Sequence, residues 1–262
     1  MRRVLNKKIN KFILFLVIFL MTIGIFNYKV LKVHGYPLFR KIQHELILYK
    51  TKDYKTKETE HFIIRYPMED EKIIDLVAKA SEKHYKEVCD RFNYHPEHKT
   101  TVIVYDNPED LMNNASLKQG KPPMGVYFAS TIQILSPRLW IPQGEEIEEI
   151  FMNEGPMVHE FTHLLVDDLT RGNYPLWFTE GVALYQEYLQ TGYVWGETLS
   201  YEEKPYTVEE LTDDFHKLDM MLAYKRSFEI VKEMVEREGF DEINQLLKDL
   251  GYGRSFEAIF AK

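Results

Sequence analysis

Apolar and polar positions change their rhythm twice along the chain. Residues 12–26 form a run without a charge, almost all Leu, Ile, Phe, Val and Met, just after Arg2, Arg3, Lys7, Lys8 and Lys11. Between about 60 and 135 the spacing is that of strands around one helix. Residues 61–66, 100–105 and 125–135 are β-rich and bounded by turn residues. Residues 71–92 place Ile73/Ile74, Val77, Ala80/Ser81, His84/Tyr85, Val88 and Phe92 on one helical side. Beyond 155 the period is helical: 157–169, 176–190, 206–217, 222–237, 241–250 and 256–261, each broken by turn residues or glycine. These elements predict an α+β domain over 59–262, long enough for one substantial core.

Charge divides the chain at the same place as the pattern. Residues 1–57 carry 13 Lys and Arg against 2 Asp and Glu, whereas the remainder carries 20 against 39. The acidic domain argues against a nucleic-acid partner. The apolar run, fifteen residues or seventeen with Asn27 and Tyr28, falls between a signal-peptide core and a minimal membrane span. Val33-His34-Gly35 is a poor and late cleavage site. The reading is therefore an uncleaved single-pass anchor over 12–28, with the basic tail 1–11 cytoplasmic and the domain outside. If the segment is cleaved, the domain is secreted instead. Residues 29–58 then form a basic juxtamembrane stalk, in which Leu38-Phe39, Ile42, Leu46 and Tyr49 fit an interfacial amphipathic helix. Cys89, the single cysteine, excludes an intrachain disulfide and reads as a small core residue.

The chemistry is concentrated in His159-Glu160-Phe161-Thr162-His163. Four residues is close to one helical turn, so both imidazoles leave one face and can share a Zn²⁺ at about 2.0–2.1 Å, with Glu160 placed to reach a water. The flanks predict the helix this needs. Pro156 follows Gly155 at its start, Met157/Val158, Phe161, Leu164/Leu165 and Leu169 recur through it, and Arg171-Gly172-Asn173 ends it. Asp167 continues the row of His159 and His163. A catalytic zinc needs a third ligand. Val166 and Leu169 stand where a metzincin carries Gly and His, which excludes that class. A second helix from Leu176, with the packing stripe Trp177, Gly181, Leu184 and Tyr188, can fold back after a short turn and return Glu180 toward the histidines.

This pattern resembles the gluzincin metallopeptidases. His-Glu-x-x-His is followed, sixteen residues on, by the Glu of Trp177-Phe178-Thr179-Glu180-Gly181-Val182-Ala183. Within that group the chain is most similar to bacterial peptidase-MA-like domains, strongly over 154–190 and more weakly over about 60–262. The resemblance implies a zincin, thermolysin-like fold with a small mixed sheet, an active-site helix pair and a C-terminal helical lobe. It implies one zinc per chain held by His159, His163 and Glu180, with Glu160 as general base, acting on a peptide or protein substrate. It also implies that the strand at 125–135 is an edge on which extended substrate lies. Many gluzincins have an acidic residue or Asn four positions after the ligand Glu; here that position is Leu184, and Asp167 or Glu187 is the replacement on offer to orient a ligand histidine. Tyr224, in a segment similar to the family's Ala-Tyr-x-x-Ser helix, fits an oxyanion donor and a core tyrosine equally well.

Two other readings compete with a membrane-anchored zinc peptidase. One is a catalytically silent member of the fold that binds or senses at the cell surface. The other is an anchored assembly protein in which the motif is fortuitous. His95-Pro96-Glu97-His98 reads as a surface loop, and the pattern fixes neither the oligomeric state nor the substrate.

Overall fold

Alternation within the strands sorts the core to the two sides of one sheet. The computed structural model describes residues 28–67, 70–117, 120–202, 204–256 and 258. The run 12–26 and most of the segment 256–261 therefore lie outside the described residues. Strands β1 (Lys55–Glu58), β2 (Phe62–Tyr66), β3 (Thr100–Tyr105), β4 (Gly125–Phe128) and β5 (Thr131–Leu135) form a mixed sheet in the order β1-β2-β3-β5-β4. The β2–β3 and β3–β5 pairs are parallel; β1 and β4 are antiparallel edges. With a period of two, Phe62, Ile64, Val102, Val104, Ile132 and Ile134 face the main core, and Ile103, Tyr105 and Leu135 face a smaller one.

The stretch 125–135, expected as one strand, is a hairpin. Ala129 and Ser130 turn it with φ of 50° and 60°. Gly, Asn or Asp usually fills such left-handed turn positions, so the sequence carries no turn signal there. The helical run 71–92 likewise divides at His84 into α2 (Glu71–Lys83) and α3 (Tyr85–Phe92), which packs its Cys89 into the main core.

The remaining helices are α4 (Pro108–Asn114) and α5 (Ile147–Glu154), which the periodicity does not announce, then α6 (Met157–Thr170), α7 (Leu176–Thr191), α8 (Val208–Asp214), α9 (Met220–Glu238) and α10 (Phe240–Gly251). Two backbone approaches bind this lobe. A Cβ at Gly181 would stand 2.3 Å from the Ser227 carbonyl oxygen, so only glycine lets α7 meet α9 at this distance. A Cβ at Gly251 would stand 2.2 Å from the Leu169 carbonyl oxygen, which fixes α10 against α6.

Residues expected as a stalk belong instead to the folded body. Helix α1 (Tyr28–Lys50) buries Val33 in its first half and Ile47 in its second. It passes the tip of the β4–β5 hairpin, where His44 Nδ1 lies 3.2 Å from the Ala129 carbonyl oxygen. Its end is tied down by Arg65, whose Nη1 donates to the carbonyls of Leu48 (3.1 Å) and Thr51 (3.3 Å). Among the described residues no helix is long and apolar enough to cross a membrane.

The strongest clasp between α1 and the domain is ionic. Arg40 Nη1 lies 2.7 Å from Asp167 Oδ2 and 2.5 Å from Asp168 Oδ1, both on α6. Asp167 is fully buried and also accepts from the hydroxyls of Tyr36 (2.7 Å), Tyr127 (2.7 Å) and Tyr174 (3.2 Å). A buried carboxylate is tolerated when its lone pairs and charge are satisfied, and here four donors do both. Removing one partner of such a pair leaves an uncompensated charge. Arg40→Ala should therefore lower stability by on the order of 3 kcal/mol, read from the urea midpoint of unfolding. A midpoint equal to wild type would mean that the clasp contributes nothing.

Candidate metal centre

The three predicted ligand side chains meet, and each arrives through a separate local cause. Helix α6 begins directly after Gly155 and Pro156, and its 3.6-residue period stacks His159 and His163 on one face, with ring centroids 4.7 Å apart. Pro175 caps α7, which places Glu180 in the helix's second turn, aimed back at α6. Glu180 Oε2 lies 3.2 Å from His159 Nε2 and 3.5 Å from His163 Nε2. All three donor atoms lie within 4.8 Å of one another.

This spacing can be compared with what a metal demands. Ligands bound tetrahedrally at about 2.0–2.1 Å stand roughly 3.3 Å from one another. The two measured nitrogen–oxygen separations match that edge. The set of two imidazoles and a carboxylate is also the one that suits a zinc with a vacant coordination place. The residues present thus fit a resident Zn²⁺.

The outward nitrogens of both rings are engaged, which leaves Nε2 directed inward. His163 Nδ1 lies 2.7 Å from Thr179 Oγ1, and His159 Nδ1 lies 3.4 Å from Glu187 Oε1. Of the two replacements offered by the sequence, Glu187 therefore stands beside a ligand histidine. It sits seven residues after Glu180, two turns along the same face, whereas Leu184 is buried in the core. Asp167 is turned away and belongs to the Arg40 clasp. Thr179 carried no signal of its own in the sequence beyond adjacency to Glu180.

Glu160 projects from α6 toward β4. A Cβ at Gly125 would stand 2.7 Å from Pro156 Cβ and 3.0 Å from Glu160 Cγ, so the edge strand rests directly on the helix start. The Tyr127 backbone N–H reaches the Glu160 carboxylate. Tyr224, on α9, lies against Glu180, with its ring packed 6.0 Å from Trp195 and 5.8 Å from Phe215. The Gly181 contact that draws α9 onto α7 is what brings Tyr224 there.

The electrostatics are those of a pocket short of positive charge. Burial disfavours a charged His159, but Glu187 and Glu180 outweigh it and hold the imidazole well above its ordinary value. Burial raises Glu160 above the usual carboxylate range, against the pull of His159 and His163. Burial would raise Glu180 too, yet His163 and His159 prevail and hold it well below. Three carboxylates thus surround two imidazoles, Glu160 and Glu180 buried and Glu187 half-buried, and a divalent cation would offset the excess.

Because the carboxylates of Glu187 and Glu180 hold His159 well above its ordinary value, a cation competes with a proton for its imidazole. Affinity for Zn²⁺ should therefore fall as pH falls, with proton release at pH 7 visible as buffer-dependent binding heat. A heat independent of the buffer would contradict this. Glu187→Ala and Thr179→Val should each weaken affinity about 10–100-fold by freeing a ligand ring, measured by chelator competition. Wild-type affinity in both variants would remove these residues from the support of the site.

The Peptidase MA superfamily model matches residues 92–261. A search among curated proteins finds no significant match. The matched span contains both helices of the centre, the strands β3, β5 and β4, and the packing helices behind them, while α1, β1 and β2 precede it. The chain therefore belongs to the Peptidase MA superfamily and carries a zinc-metallopeptidase-like domain of gluzincin type.

Proposed function

We propose that this protein is a zinc-dependent peptidase, held at a membrane by residues 12–28 with its catalytic domain on the extracytoplasmic side. The observation that carries the hydrolase reading is the single carboxylate oxygen of Glu180 placed between two imidazole nitrogens at metal-ligand spacing, with the buried Glu160 on the same helix as the histidines. Family membership supports the class of chemistry. The anchor rests on the charge-free run and its basic flank.

His159, His163 and Glu180 would hold the zinc, which when bound polarises a substrate carbonyl and brings the pKa of water down toward about 7. The remaining work falls to the protein. The substrate backbone pairs with the outer edge of β4, displacing the Glu160 carboxylate from the Tyr127 N–H. Glu160 accepts one proton as water oxygen bonds to the carbonyl carbon. It returns that proton to the amine nitrogen as the carbon–nitrogen bond breaks. The raised affinity of Glu160 for protons matches this double role, since a carboxylate of ordinary acidity would be a poor donor in the second step. Tyr224 donates to the substrate oxygen as negative charge develops on it. Its placement against Glu180 fits that role, and its packing against Trp195 and Phe215 keeps the ring still. The thermolysin-like arrangement is part of this reading.

Glu160→Gln keeps the shape and all three ligands but cannot accept a proton. It should bind zinc as wild type does and lose at least about 10²-fold in peptide turnover, measured with a mixed peptide library. Turnover retained in this variant would exclude Glu160 as the base. Zinc bound by the wild type with no library peptide cleaved would favour a silent, binding member of the superfamily.

A further inference from the structure

Helix α1 has two working faces, and only one of them is used by the domain. Val33, Arg40, His44 and Ile47 turn inward. Leu38, Phe39, Ile42, Leu46 and Tyr49 turn outward and are 65%, 58%, 52%, 50% and 69% exposed. At 100° per residue these five fall within a single arc of roughly 100°, opposite the buried face. Five large apolar side chains aligned on one helix are a patch, not scattered surface residues.

We infer that this outer face of α1 lies on a lipid bilayer, so that the domain is seated flat on the membrane and not suspended from it. Three observations identify lipid as the occupant. First, α1 starts at Tyr28, two residues after the charge-free run ends at Phe26, so the helix that bears the stripe follows that run closely in the chain. Second, exposed Lys32, Lys41, Lys50 and Lys52 surround the stripe, with Glu45 as the acidic residue of the helix. Lysines beside an apolar face extend their stems along it and place ammonium groups among anionic headgroups. Third, residues 58–262 carry 20 Lys and Arg against 39 Asp and Glu, so an anionic surface repels the rest of the domain and admits α1. Charge and apolar surface therefore select the same orientation.

The consequence for the site follows from the inner face. Arg40 joins α1 to Asp167 and Asp168, four and five residues and so little more than one turn beyond His163 on the same helix. The metal helix then stands about one helix diameter, roughly 10 Å, behind the membrane-seated helix. This seating does not depend on the centre being catalytic. If the peptidase reading holds as well, the substrates are peptide segments close to the bilayer surface.

The test uses the full chain in nanodiscs of phosphatidylcholine and phosphatidylglycerol. Cys89 is buried, so an environment-sensitive fluorophore can be placed at Ile42→Cys, Leu46→Cys or, as a control on exposed α10 surface, Asp241→Cys. The first two should show blue-shifted emission quenched by spin-labelled lipid near the headgroup, and the third water-like emission without quenching. The pair Ile42→Glu and Leu46→Glu, on the outward face, should return a probe at Tyr49→Cys to water-like emission with an unchanged melting temperature. Water-like emission at 42 and 46 in lipid would overturn the inference. So would a blue shift that persists in lipid-free detergent with disulfide cross-linking between two Ile42→Cys copies, because the face would then be a contact between chains. None of these readings needs metal or substrate, so their failure leaves the hydrolase reading standing, and the reverse also holds.

Discussion

Glu180 shares one oxygen between two imidazoles, and most of the C-terminal lobe can be understood as the means of holding it there. The carboxylate is nearly dry, so its position is set by packing and not by water. Behind it, Gly181 lets α9 press onto the backbone of α7, and this contact fixes the helix carrying Glu180 while delivering Tyr224. In front, α6 is held from both ends: by β4 at Gly125 near its start, and by α10 at Leu169 and the Arg40 clasp near its finish. A site whose donors must stand within a few tenths of an ångström of a metal's requirement needs this kind of over-determination.

The same packing sets the charge. Two imidazoles among three carboxylates would be unstable if left alone in a buried pocket, and proteins keep such groups where they are functional. A divalent cation in the middle would resolve the imbalance and leave Glu160 over, raised by burial and facing the edge strand. The imidazoles hold Glu180 low while burial raises Glu160, a division that would suit a metal ligand at the one and a proton carrier at the other, although the two have the same side chain.

Legibility in the sequence followed the range of the interactions. The helix bearing His159 and His163 was readable because spacing, cap and apolar period all lie within one local segment. Strands β2 and β3 were readable for the same reason. Glu180 was reachable because the turn between α6 and α7 is short. The hairpin at Ala129 and Ser130 was not, since tertiary contacts hold a left-handed turn that no Gly or Asn announces. Thr179 could not be found because its partner nitrogen belongs to another helix. The stalk reading failed to place Arg40 against a carboxylate about 130 residues away: the outward stripe of α1 was visible as a pattern, but its inward clasp depends on a pairing at long range that only the fold supplies.

The most direct test of this account is X-ray absorption at the zinc edge on the metal-loaded protein. It predicts an inner shell of nitrogen and oxygen at about 2.0–2.1 Å, with outer-shell scattering from two imidazole rings that drops to one in His163→Ala. A shell containing sulfur, or a spectrum without paired imidazole scattering, would contradict the convergence of His159, His163 and Glu180 on one ion.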